Sequence, residues 1–150
     1  MGERNKPAIV IDTNLFISAI ISKNNTIPYQ LLLAWRNSRF QLITSDPLIT
    51  EVEAVLKREK IYKKYNISQE EIAKLLRELR FSTKIVIPIE VNLLPIHSRD
   101  KKDDILLASA LGGNCDYLIT GDEDLLILDG HQKLGDLKII KAEEFLRRRQ

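Results

Sequence analysis

Residues 7–14 read Pro-Ala-Ile-Val-Ile-Asp-Thr-Asn. A β-branched run held between a proline and a polar pair is the pattern of a buried strand, here over residues 8–12. It ends on an acid, Asp12. A carboxylate closing an apolar strand is costly to desolvate without partners, which makes Asp12 a candidate functional residue and not a solvated accident.

Outward from this strand the chain alternates. Residues 15–21 predict a helix. Pro28 suits a first helical turn, and Leu31, Leu32 and Trp35 follow at helical spacing through Arg36. Residues 40–44 predict a second strand. Ser45 or Asp46 then caps a helix with Pro47 near its start, and Leu48, Val52, Val55 and Leu56 form its core stripe, the spacing continuing to Glu59. Ser68 and Glu71 make a capping box ahead of Ile72, Leu75, Leu76 and Leu79. Residues 84–91 predict a third strand. Asp103 or Asp104 caps a short helix through Leu111, stopped by Gly112–Gly113, and strands follow over 116–120 and 137–140. Parallel neighbours need crossover connections, so this order predicts an α/β three-layer sandwich around a central parallel, roughly five-stranded sheet.

A chain of 150 residues with 44% hydrophobic content fills one such domain, expected over residues 1–150, and leaves no room for a second. The longest apolar runs, such as 31–35 and 85–89, fall far short of the roughly 20 residues that cross a bilayer. Residues 1–6 lack the pattern of a secretory leader, so the expectation is a soluble, cytoplasmic protein without membrane association. The single cysteine, Cys115, excludes an internal disulfide and a thiolate cluster and is expected as a small buried hydrophobe. A net charge of +2 identifies no polyanionic partner, but its distribution is uneven. Basic residues crowd into 57–64 and 147–149, whereas acids cluster at Asp103–Asp104 and Asp122–Glu123–Asp124.

Ligands of open α/β sheets sit beyond the carboxyl ends of the strands, near a switch in strand order. Asp12 closes the first strand and Asp122 lies two residues past Thr120, the end of the fourth. A crossover helix runs antiparallel to its strands, so Asp103–Asp104 at a helix start joins the same edge. Glu51 lies about one turn into its helix and is again near that edge. Glu51 and Glu53 flank the apolar stripe on opposite sides, and helical phase does not choose between them. Carboxylates gathered closely raise one another's pKa and need a cation to stay ionised together. Oxygen ligands without His or Cys point to Mg²⁺ or Mn²⁺, one ion or two. Such an ion suits phosphodiester hydrolysis and removes the need for a protein nucleophile.

The segments IDTNLFISAI (11–20), SDPLITEVEAVL (45–56), RDKKDDILLASA (99–110) and DYLITGDEDLL (116–126) together resemble the successive signatures of the PIN (PilT N-terminus) domain family. Within it they resemble the toxin ribonucleases of toxin–antitoxin pairs. The likeness spans about residues 9–145 in order and spacing. Carried over by position, it implies a catalytic quartet of Asp12, Glu51, Asp104 and Asp122. Asp12, Asp104 and Asp122 would hold metal with Asp124 as a candidate further ligand, and Asn14 and Thr120 would support the site. The pair Asp103–Asp104 leaves its ligand open by one residue; the family spacing before Ile105, Leu106 and Leu107 favours Asp104. The resemblance implies a metal-dependent endoribonuclease acting on single-stranded RNA, a homodimer, and an antitoxin partner that blocks the site.

Each residue also has a structural alternative. Asp104, Asp122 and Asn14 are ordinary caps when taken singly, and Glu51 an ordinary surface residue. The run Lys57, Arg58, Lys60, Lys63 and Lys64 tracks RNA phosphates or is a solvated helix end. His97 and His131 lack paired ligands, and Trp35 sits at core spacing. A phospho-receiver domain would want an acidic pair at the first strand and an Asp after the third, where residues 84–91 offer only Glu90. A dinucleotide-binding fold would need Gly-x-Gly-x-x-Gly, which does not follow the first strand. An inactive interaction module is the remaining competitor, and the intact acidic quartet argues against it.

Overall fold

The computed structural model describes residues 6–22 and 24–148, and the expectations that rest on residues 1–5 and on Arg149 fall outside them. β1 (Ala8–Ile11) is the central strand. The chain continues through α1 (Thr13–Ser22) and α2 (Ile27–Arg36) to β2 (Gln41–Thr44), then through α3 (Asp46–Leu56), α4 (Glu59–Tyr62) and α5 (Gln69–Phe81) to β3 (Lys84–Ile85). After α6 (Asp104–Gly112) it forms β4 (Tyr117–Ile119), a short α7 (Glu123–Leu126), β5 (Lys138–Ile140) and α8 (Ala142–Arg148). The sheet runs β3-β2-β1-β4-β5 with every pair parallel. Chain order therefore reverses between β1 and β4, and that is where a crevice opens at the carboxyl ends of an α/β sheet.

The period-2 alternation of the strands sorts their side chains onto two faces. Ile9, Ile11, Leu42, Ile119 and Ile140 pack with α1, α2, α3, α5 and α8. Val10, Ile43, Leu118 and Ile139 face the other way, onto Leu106, Leu107, Ala108 and Ala110 of α6 and Leu125 of α7. Burial on both faces makes the three-layer α/β sandwich that the alternation predicts. Cys115 is buried in the second cluster, and burial chiefly, with the Asp116 charge, pushes its thiol up to about 12. It is a packing residue. Among the described residues no helix is long and apolar enough to cross a membrane.

The predicted elements are present with three differences. The third strand shrinks from residues 84–91 to Lys84–Ile85. Val86 still donates to the Thr44 carbonyl at 2.8 Å, but β2 ends there and Pro88 brings no donor to continue a ladder. The chain instead swings onto α6, where Ile89 donates to the Ala108 carbonyl at 3.0 Å. Gly112 permits that crossing, since a Cβ there would lie 2.5 Å from the Ile87 carbonyl oxygen. Secondly, α3 stops at Leu56, so Glu59 belongs to α4. Thirdly, neither Ser45 before α3 nor Asp103 before α6 caps its helix by its side chain; the Ser45 hydroxyl is buried 2.8 Å from that of Ser109 and ties α3 to α6. The capping box of Ser68 and Glu71 forms as expected.

Candidate metal centre at the carboxyl edge

Asp12 lies directly after β1, and its amide donates to the Ile119 carbonyl of β4 at 2.9 Å, which seats it at the switch point. Its carboxylate is buried, with 5% exposure, yet not unpartnered. Oδ2 accepts from the Thr120 hydroxyl at 2.7 Å and Oδ1 from the Asn14 amide at 3.1 Å. The same Thr120 oxygen accepts from the Asp122 amide at 3.0 Å, so one wholly buried hydroxyl couples the ends of β1 and β4. Asn14 contributes through its backbone; its side chain is exposed.

Asp100, Asp103 and Asp122 present oxygens that all lie within 4.8 Å of one another. Two of these acids are held by a bond to the amide two residues on. Asp100 accepts from Lys102 at 3.0 Å and Asp122 from Asp124 at 2.8 Å, the same local device that holds Asp12. Asp103 is set by geometry instead. It closes a 3₁₀ turn, Lys101–Asp103, with its amide bonded to the Asp100 carbonyl at 3.0 Å. Asp100 is the extended N-cap of that turn, and the carboxylate of Asp103, which accepts from the Ser98 hydroxyl at 3.4 Å, lies beside that of Asp100.

The pair left open in the sequence is separated here. Asp103 turns toward Asp122, whereas Asp104 is buried in a different direction. Asp104 accepts from the Ser98 amide at 2.7 Å and lies 2.9 Å from His97 Nδ1, so both its oxygens are engaged in bracing the loop before α6. Asp124 is not among the three converging acids and lies 3.8 Å from Arg99 Nε. Glu51 accepts from the Thr13 hydroxyl at 2.9 Å, next to Asp12, while Glu53 pairs with Lys57 at 2.7 Å on the exposed side of α3. Asp100, Thr13, Ser98 and His97 gain structural roles that the sequence analysis did not assign. Only Asp100 had a visible signal, its spacing of three from Asp103.

The basic run follows the C-terminal end of α3, opposite the end at the carboxyl edge of the sheet. Arg80, near the end of α5, bonds Asp46 at the start of α3 at 3.1 Å, so the two helices form an antiparallel hairpin. Residues 57–64 occupy its tip, roughly 16 Å along α3 from its start at about 1.5 Å per residue. Within that run Lys57 pairs with Glu53 and Lys63 with Glu59, and Lys64 lies 5.3 Å from the Tyr65 ring centre. Arg147 and Arg148 pair within α8, with Glu143 and Glu144. A cavity of about 460 Å³ lies among Trp35, Phe40, Phe81 and Lys84, and none of the acids lines it.

Asp103 is held up at about 7, chiefly by burial, then by its hydrogen bond with Asp122 and by the charges of Asp122, Asp100 and Asp12. Like charges thus press on a site whose donors are all carboxylate oxygens, a set that fits a hard divalent cation. In metal-free protein the folded state keeps a proton that the unfolded chain releases near pH 4, so folding stability falls as pH rises from about 4 through 7 and then levels. Urea denaturation in EDTA between pH 5 and 8.5 should show it, and Asp103→Asn should flatten it.

A five-stranded parallel sheet with an acidic triad at its carboxyl edge defines the class, an α/β domain whose clustered carboxylates could hold a metal ion. A PIN-domain family model matches residues 8–124, and the chain belongs to the PIN-domain family. It is also 30% identical over 149 residues to an uncharacterised protein of Methanocaldococcus jannaschii, with 96% of this chain and 92% of that protein covered. PIN domains are generally metal-dependent nucleases, and the family implies RNA as substrate.

Proposed function

We propose that this protein, as a single nuclease domain over residues 1–150, is a Mg²⁺- or Mn²⁺-dependent endoribonuclease that hydrolyses phosphodiester bonds of single-stranded RNA. The observation that carries the proposal is the convergence of carboxylates from separate segments at the sheet's switch point, with Asp100, Asp103 and Asp122 within 4.8 Å. These three and Asp12 are the proposed ligands, Asp103 taking the place that the family spacing gave to Asp104. A bound divalent ion would supply charge neutralisation, polarise a phosphoryl oxygen and lower the pKa of water. The chain's own contribution is orientation. Thr120 and the Asn14 amide hold Asp12, local amides hold Asp100 and Asp122, and Thr13 holds Glu51 beside Asp12. The role proposed for Glu51 is to accept a proton from an attacking water.

The role proposed for this activity is that of the toxin in a toxin–antitoxin pair, acting in the cytoplasm as a homodimer restrained by a small antitoxin protein. Light scattering of the protein purified alone and with its neighbouring gene product tests the last two points. A monomer indifferent to that product would count against both.

The decisive assay is cleavage of a labelled single-stranded RNA with Mg²⁺, with Mn²⁺ and with EDTA. The expected result is internal cutting in either metal and none in EDTA. Intact RNA across varied sequences in both metals would replace the nuclease with a catalytically inactive interaction module. Equal cutting in EDTA would point to a contaminant.

A further inference from the structure

An acid-lined centre repels a polyanion unless cations close by receive the phosphates on either side of the one being cut. Cations flank the candidate centre that do not belong to the basic run at the hairpin tip. They alternate with the acids themselves, as Arg99-Asp100-Lys101-Lys102-Asp103. In the 3₁₀ turn Lys101–Asp103 successive side chains step by about 120°. With the Asp103 carboxylate on the side of Asp122, that step sends Lys101 and Lys102 to its two flanks. Both lysines are exposed and form no ion pair among the described residues. Arg99 beside them is 83% exposed and only loosely paired, 3.8 Å from Asp124. Such an exposed contact is worth little and exchanges readily for a phosphate.

We propose that Lys101 and Lys102, with Arg99 beside them, are the phosphate grip for single-stranded RNA, holding the backbone on both sides of the acidic centre. One short turn thus serves two ends, its acidic face toward the candidate centre and its basic flanks toward the strand. The inference rests on the proposed nuclease function and adds the residues that position its substrate. It places the grip at the carboxyl edge of the sheet, away from Lys57, Arg58, Lys60, Lys63 and Lys64.

The test is fluorescence anisotropy of a labelled single-stranded oligouridine in Ca²⁺ at 50–300 mM salt, with gels to confirm that the RNA stays intact. Wild-type protein, Lys101→Gln/Lys102→Gln and Lys60→Gln/Lys64→Gln are compared, with circular dichroism to confirm folding. Each phosphate contact on a single strand contributes about 0.7 to the slope of log affinity against log salt. The expected result is a slope shallower by about 1.4 and a raised Kd for Lys101→Gln/Lys102→Gln. An unchanged slope in that variant, with or without a loss in Lys60→Gln/Lys64→Gln, overturns the grip while leaving the nuclease proposal standing. Absence of RNA binding by wild-type protein overturns both.

Discussion

Asp103→Asn is expected to lower metal-dependent RNA cleavage by roughly 10²–10³-fold, as loss of a charged group at a metal centre does when second-sphere changes alone cost 10–100-fold. The carboxylate of Asp103 lies with those of Asp100 and Asp122 within 4.8 Å, and an amide nitrogen in its place is a poor ligand for a hard cation. The fold should survive, because the substitution keeps the volume and removes a buried charge that its neighbours oppose. Above pH 7 the metal-free variant should be more stable than wild type, so the activity loss is separable from unfolding in the same preparation.

Asp104→Asn is the informative contrast. Its carboxylate braces Ser98 and His97, so the change should cost stability while kcat/KM of the folded fraction falls less than tenfold. Single-turnover kinetics with calorimetric Mg²⁺ titration would decide. If Asp104→Asn abolishes metal binding and Asp103→Asn does not, the loop before α6 rearranges on binding and the family spacing identifies the ligand after all.

Leu107→Ala should be among the most destabilising single changes. Leu107 has 0% exposure at the interface of α6 with Val10 and Leu118, and truncating such a leucine costs about 2–5 kcal/mol in transfer and cavity energy. That is a large part of the 5–15 kcal/mol typical of a domain. For a chain of this size the melting temperature should drop by roughly 5–15 °C. The damage also reaches the site, because the start of α6 carries Asp103 and Asp104. Ile127→Ala, at 71% exposure, should stay within about 0.5 kcal/mol of wild type. Equal effects of the two substitutions in urea denaturation would mean that α6 is not packed as the structure has it.

Much of this architecture is legible in local sequence because its causes are local. Short β-branched runs between polar punctuation make strands, capping residues start helices, and alternation forces crossovers into a parallel sheet. The ends of the first and fourth strands carry Asp12 and Asp122 as neighbours once β1 and β4 are adjacent, so half of the acidic centre was visible from strand-end positions alone. The third strand was not, because its length depends on where β2 stops and on a close crossing over Gly112. Those are facts about distant segments.

The choice between Asp103 and Asp104 shows where local information ends. A helix with one apolar stripe declares its own phase. In α6, however, Leu106, Leu107, Ala108, Ser109 and Ala110 are all buried, so no polar face tells which way its first residues point. Glu51 and Glu53 pose the same question more mildly, and contacts with Thr13 and Lys57 separate them. Residues 57–64 were equally undecided, since a run of cations has the same composition wherever a helix hairpin puts its tip. Strand order and helix entry thus follow from neighbours along the chain. The direction of a carboxylate follows from packing between segments far apart in sequence, and at this centre that packing brings Asp100 and Asp103 together with Asp122.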